Sequence, residues 1–168
     1  MRVPSVLRRR PARPRPVPLL AVAVVLAAAV ALAAWYGDHR AGQRDQAVRQ
    51  ALATAPAAAK ALFSYDYRTF DDSVANGRTF ATGAFAEEYA QTTAALKSTA
   101  TKQQAVVLAE VSATGVVSAD QDRVELLLYL NQYRRNVTTA GEKVDQNRVV
   151  LTMVPVRGEW KVVKATAI

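Results

Sequence analysis

Residues 123–137 read RVELLLYLNQYRRNV. Val124, Leu126, Leu128 and Leu130 recur at every second position, and Glu125, Leu127, Tyr129 and Asn131 fill the places between. A period of two puts the first set on one face of a strand and the second on the other. Working outward, Gln104–Val117 is rich in valine and alternates imperfectly, and the polar Ser118–Asp122 between them is a turn. On the other side Thr138–Lys143, with Gly141, is a second turn, followed by a strand over Val144–Val156. Arg157-Gly158-Glu159 is a tight hairpin turn and Trp160–Ala167 the last strand. Four consecutive strands with short links form an antiparallel meander.

Upstream of Thr101 the period is helical. Phe85, Tyr89, Thr92 and Leu96 lie on one face of a helix starting near Thr82-Gly83, with Glu87 and Glu88 near its start and Lys97 near its end, as the helix dipole favours. Thr69-Phe70-Asp71-Asp72 caps a short helix that should stop at the left-handed signal Asn76-Gly77. Ala59, Leu62 and Phe63 carry a further helix, ending near Tyr65, that Pro56 should kink or restart, with Thr54 as its cap. Three helices grouped before four strands make an α+β domain, the helices packed on a curved four-stranded antiparallel sheet. A curled sheet around a long helix is a cone, the order found in the family of nuclear transport factor two, the ketosteroid isomerases and the SnoaL-like enzymes. That resemblance is one of fold and carries no function by itself.

The N-terminal third is organised differently. The net charge of +8 comes mainly from residues 1–16, which hold six arginines and no acid. This tail is rich in proline and reads as a disordered basic segment. Val17–Tyr36 holds 20 residues without a charge, VPLLAVAVVLAAAVALAAWY. As a helix from Leu19 this spans about 27 Å at about 1.5 Å per residue, close to the bilayer core of about 30 Å. Trp35 and Tyr36 close it as interfacial anchors, and the arginines precede it. The reading is a single-pass cytoplasmic-membrane protein, with a cytoplasmic tail (1–16), a transmembrane helix (17–36), a helical stalk (37–55) and an extracytoplasmic domain (56–168). A cleaved leader ending at Ala31-Leu32-Ala33 is the competing reading. The length of the apolar run and the aromatics after it weigh against that.

The residues narrow the chemistry. There is no cysteine, which removes thiolate metal sites, disulfides and cysteine nucleophiles. The one histidine, His39, lies next to the anchor. No glycine-rich phosphate loop or acidic cation loop is present. The domain is nearly neutral, so nucleic acid is not an expected partner. An isomerase-type site would need Asp66, Asp71 or Asp72 with a tyrosine in an apolar cavity. Asp71 and Asp72 read instead as cap acids and Asp66 as a turn residue. The expectation is therefore no catalytic residue, no metal and no cofactor. Partner binding is assigned to Tyr129, Tyr133 and Arg134 on the second strand and to the polar run Asp145-Gln146-Asn147-Arg148 on the third. If helices cover one sheet face, Leu127 and Tyr129 are left partly exposed for a second chain, of this protein or another.

Certain stretches also carry a family resemblance. Leu62–Asp72, LFSYDYRTFDD, resembles the motif closing the first domain helix of the Mce-associated membrane proteins of actinobacteria. Thr82-Gly83-Ala84-Phe85 with Glu88-Tyr89 is similar to their next motif, and Val144–Val149 with Gly158-Glu159-Trp160 to their sheet signature. The resemblance covers residues 17–168. It implies a non-enzymatic accessory subunit of a mammalian-cell-entry lipid or sterol importer, with Tyr65, Asp66, Tyr67, Phe70 and Asp71 as family positions. A carrier holding an apolar molecule in the cone, or a SnoaL-type pocket enzyme, are the alternatives. A plugged cone favours the first reading, an open apolar cavity the second, and an open cavity holding Asp66 and a tyrosine the third.

Overall fold

The structure, a computed structural model, describes residues 17–168, with side chains from residue 25. The basic tail expected over 1–16 lies outside the described residues, and over 17–24 the description is of backbone alone. The chain divides into two units, Met1–His39 and Arg40–Ile168.

In the first unit the backbone is helical from Val17. Val25, Leu26, Val30, Leu32, Trp35 and Tyr36 are all more than half exposed, and Trp35 stacks on His39 with ring centroids 5.8 Å apart. Among the described residues no helix is long and apolar enough to cross a membrane. The transmembrane reading of 17–36 therefore rests on the sequence.

The second unit is the α+β cone. Its helices are the remainder of α1 (Val17–Phe63), α2 (Phe70–Phe80) and α3 (Gly83–Gln103). Its strands are β1 (Tyr65–Asp66), β2 (Val106–Ala119), β3 (Val124–Arg135), β4 (Lys143–Val156) and β5 (Glu159–Ala167). They form one antiparallel sheet in sequence order. Four of the strands are those of the meander. The fifth, β1, is two residues long and pairs with Val106 and Val107, so the sheet has five strands rather than four. Two residues carry no alternation for a sequence reading to find.

The core forms where α1 crosses the sheet. Ala47, Ala51, Ala55, Ala58, Ala59 and Leu62 are buried along one helix stripe. Against them stand Val124, Leu126, Leu128 and Leu130 of β3, Leu151 and Met153 of β4, and Trp160 and Val162 of β5. Alanine has no side chain beyond Cβ, so the helix backbone approaches the sheet closely and the leucines fill the space between. This core starts at Ala47, inside the stretch assigned to a stalk, so the boundary drawn at residue 56 is corrected. Pro56 is exposed and lies inside α1 without ending it, correcting the expected restart. The proline forfeits the hydrogen bond that Leu52 O would accept, and the buried stripe on both sides of it offsets that cost. Thr54 is no cap; its hydroxyl donates to Gln50 O at 3.0 Å.

Irregularities curl the sheet. The register shifts between Val111 and Ala113, between Val116 and Ser118, and at Thr152–Met153, and such bulges bend the bulged strand and raise its twist. α2 runs through Asn76-Gly77 to Phe80. Gly77 is buried, and a Cβ built on it would stand 2.8 Å from Ala61 O and collide with the Tyr89 hydroxyl. It serves close helix packing rather than a left-handed stop. The β4–β5 hairpin turns on Arg157 (φ 52°) and Gly158 (φ 87°), as expected of a tight two-residue turn.

Candidate functional site

The sequence-assigned patch on β3 and β4 is divided by the sheet. Register pairs Tyr129 with Arg148, Asn131 with Gln146 and Tyr133 with Val144. These alternate with the buried Leu126, Leu128 and Leu130, so they face away from the helices. Asn147 and Asp145 pair with Leu130 and Gln132 and share the helix-side face with Arg134. The seven residues therefore form two sites: Tyr129, Tyr133, Gln146 and Arg148 outside, and Arg134, Asp145 and Asn147 inside. A polar run in a strand always splits this way, and one sequence cannot show which half faces the core.

On the outer face Tyr129 is 45% exposed, Val144 49% and Leu108 38%. Leu108 stands opposite Tyr133 across β2–β3 and Val144 opposite Tyr133 across β3–β4. The three strands thus present a row Leu108–Tyr133–Val144 and a row Ala113–Tyr129–Arg148, with the polar row Glu110–Asn131–Gln146 between them. Gln146 Nε2 donates to Asn131 Oδ1 at 3.3 Å, and Glu110, opposite Asn131, adds a carboxylate. The exposure foreseen for Tyr129 is present, and Leu127 is half-buried. Two aromatic-bearing rows divided by a polar one, with Arg148 and Glu110 among them, have the mixed composition of a protein interface.

The inner residues form a polar lip. Arg134 Nη2 meets Asp145 Oδ2 at 3.0 Å and Lys143 Nζ meets Asp145 Oδ1 at 3.4 Å. Asn147 Nδ2 donates to Gln132 Oε1 at 2.7 Å, and Gln132 Nε2 donates in turn to Phe63 O at 3.5 Å. The network ties the lip to the C-terminal end of α1.

Gln132 also lines a cavity of about 310 Å³, walled by Phe63, Tyr65, Phe70, Phe85, Tyr89 and Leu96 among others. Burial raises the pKa of the Tyr89 phenol; burial also raises that of Tyr65, with Arg134 opposing it. Both phenols stay neutral at physiological pH. Glu88 lines the cavity and is exposed.

The YDYRTFDD stretch builds the corner between α1 and α2. Tyr65 pairs with Val107 and packs edge-on against Phe70 with ring centroids 5.5 Å apart. Phe70 is buried. Asp66 caps the 3-10 turn Tyr67–Thr69, accepting from Arg68 N at 2.9 Å and Arg68 Nε at 3.0 Å. Hydrogen bonding to the Arg68 side chain is the main reason its carboxyl is held below the usual carboxylate range. The guanidinium carbon of Arg68 sits 5.8 Å from the centre of the Tyr67 ring. Asp71 meets Lys97 Nζ at 2.7 Å, bracing α2 on α3. Asp66 is thus spent on a turn and is not among the residues that line the tyrosine-walled cavity. Among the described residues no group of acids and histidine could hold a metal ion.

No known family profile matches the chain. Among curated proteins it is similar to uncharacterized protein Rv1362c of Mycobacterium tuberculosis, 27% identical over 158 residues, covering 92% of this chain and 72% of that one. Uncharacterized protein MT1407, from a second strain of the same species, matches to the same extent. Among solved structures the domain is similar to an IcmL-like type IV secretion system protein of Legionella pneumophila (TM-score 0.57, 16% identity, 68% of this chain and 88% of that one). It is also similar to the periplasmic domain of DotI (TM-score 0.58, 13% identity, 68% and 89%) and to CagV, a VirB8 homolog of Helicobacter pylori (TM-score 0.57, 10% identity, 68% and 93%). At these identities the likeness is one of fold.

Proposed function

We propose that this chain is a non-catalytic accessory subunit of the cell envelope, anchored in the cytoplasmic membrane by 17–36. Its extracytoplasmic domain docks on the proteins of an Mce-type lipid importer. The observation that carries the reading is the uncovered outer sheet face, with Leu108 and Val144 exposed in one row, Tyr129 in another, and the polar row Glu110–Asn131–Gln146 between them. Exposed aromatic and aliphatic side chains interleaved with polar ones on a folded domain have the make-up of an interaction surface. Support for the setting comes from the fold, which recurs in an IcmL-like type IV secretion system protein and in the periplasmic domain of DotI. Support for the importer is the motif resemblance at Leu62–Asp72 and Val144–Val149.

The test is co-purification of the full-length chain from gently solubilised native membranes, with mass spectrometry of what accompanies it. Importer subunits should be recovered with the wild type and lost with the double substitution Tyr129→Asp, Val144→Asp. Both positions are exposed, so the fold should survive, and circular dichroism checks that it does. Recovery of the protein alone, where the importer stays intact, would overturn the reading.

The cavity favours a second reading, in which the cone carries a small apolar molecule. Native mass spectrometry of the purified chain tests it. A retained lipid-sized adduct lost on Ala165→Trp, which fills the cavity, supports the carrier reading.

A further inference from the structure

The two edges of the sheet are finished differently. At β5, Thr82 N–H donates to Val162 O at 2.9 Å and Ala81 bridges Val162, while Lys161 and Lys164 stand along the strand. Covering segments and lysines are the means by which proteins prevent edge pairing. At β2 the cover is short. β1 pairs only with Val106 and Val107, and Ala109 N–H donates to Ser64 Oγ at 2.9 Å. From Glu110 to Ser118 the backbone groups turned away from β3 have no partner among the described residues. The strand there reads VSATGVVSA over 111–119, with no charge and no proline. Val116 is 44% exposed and Val117 57%, although Val116 pairs with the fully buried Leu126. The helix layer ends short of this edge.

We infer that the free edge of β2 pairs antiparallel with the same edge of a second copy, joining two five-stranded sheets across a two-fold axis at Thr114. Three features select this occupant. A two-fold in an antiparallel pair keeps the helix-side faces together, and here it sets Glu110 opposite Ser118 and Ala113 opposite Gly115, each pair on one face. The free stretch 110–118 has its centre at Thr114, between the shifts at Val111/Ala113 and Val116/Ser118. On that axis Thr114 meets Thr114, a favourable cross-strand pair, and Glu110 meets Ser118. One step further along, Glu110 would oppose Asp120. Finally, the β5 edge, bridged at Val162 and carrying Lys161 and Lys164, disfavours a further pairing, so the assembly closes at two chains rather than growing into a filament.

The cysteine-free chain makes the test clean. Directly opposed Cβ atoms in such a pair stand about 4.5–5.5 Å apart, near disulfide reach. Full-length Thr114→Cys, in mild detergent with an oxidant, should give a covalent dimer, and Lys164→Cys on the β5 edge should not. Thr114→Lys places two like charges face to face and should weaken the dimer by more than about tenfold in light scattering. Val117→Lys, at a position 57% exposed, sets a lysine opposite Val111 of the other copy and should also weaken the dimer where the first substitution harms the fold. A monomeric wild type, or a dimer that both lysine variants leave intact, or cross-linking at Lys164→Cys equal to that at Thr114→Cys, would overturn the inference.

Discussion

Gly77 shows how a single missing methyl group fixes two helices. It is helical and buried, beneath the Tyr89 hydroxyl and beside the α1 carbonyl of Ala61. Alanine is the better helix former by roughly 0.8–1 kcal/mol, so on propensity Gly77→Ala should stabilise. Sterics decide otherwise, because the new Cβ meets Ala61 O at 2.8 Å, a backbone atom that cannot rotate away. Overpacking of this kind costs about 1–3 kcal/mol. The expected net result is a destabilised protein in urea denaturation. Tyr89→Phe, which removes the hydroxyl but not the backbone contact, should recover part of the loss. Full recovery would place the clash on the tyrosine alone.

Asp66 works at the same scale through charge. Its folded pKa is lowered, chiefly by hydrogen bonds from the Arg68 side chain. A depressed acid contributes stability above its unfolded pKa, about 3.9, and loses it as pH falls through the lower folded value. Asp66→Asn should therefore lower the thermal midpoint at neutral pH. The gap from wild type should close as the pH is taken below the carboxylate range. A gap independent of pH would mean that the cap acts through shape alone.

At the scale of elements the alanine stripe of α1 governs the distance between helix and sheet. Ala51, Ala55, Ala58 and Ala59 are fully buried, and Trp160 Nε1 donates to Gln50 Oε1 at 3.0 Å across the same interface. Ala55→Leu would force three more heavy atoms into that contact and should destabilise by about 1–3 kcal/mol. The exposed Ala53→Leu is its control and should be close to neutral. The elements that could be read from sequence are those whose periodicity is imposed by a large buried face. Leu126, Leu128 and Leu130 announce β3 because their neighbours Glu125 and Asn131 are polar. The alanine face does not announce itself, because alanine is equally at home on a surface, and Pro56 in its midst reads as a break. Gly77 misleads for a similar reason: a glycine for close approach and a glycine for a left-handed turn are the same letter. The candidate site was legible as residues but not as surfaces. Tyr129 and Arg148 are joined, and Asp145 is separated from them, by a strand register that depends on partners far along the chain.

At the scale of the whole molecule the proposed anchor would set which side of the bilayer each end occupies, and the charge distribution makes that a measurable matter. Positive residues near a span are retained on the cytoplasmic side, and here the six tail arginines face no comparable block after residue 36. Since the chain has no cysteine, one introduced thiol reports one location. Thr139, exposed in the β3–β4 turn, marks the domain, and Ser5 marks the tail. In intact spheroplasts a membrane-impermeant maleimide should label Thr139→Cys and spare Ser5→Cys until the cells are permeabilised. Replacing Arg8, Arg9 and Arg10 by glutamate removes half the block and should make a fraction of Ser5→Cys reactive from outside, since the retained charge sets the orientation. Labelling of Thr139→Cys only after permeabilisation would put the domain in the cytoplasm. The outer sheet face would then have to meet a cytoplasmic partner, and the importer reading would fail with it.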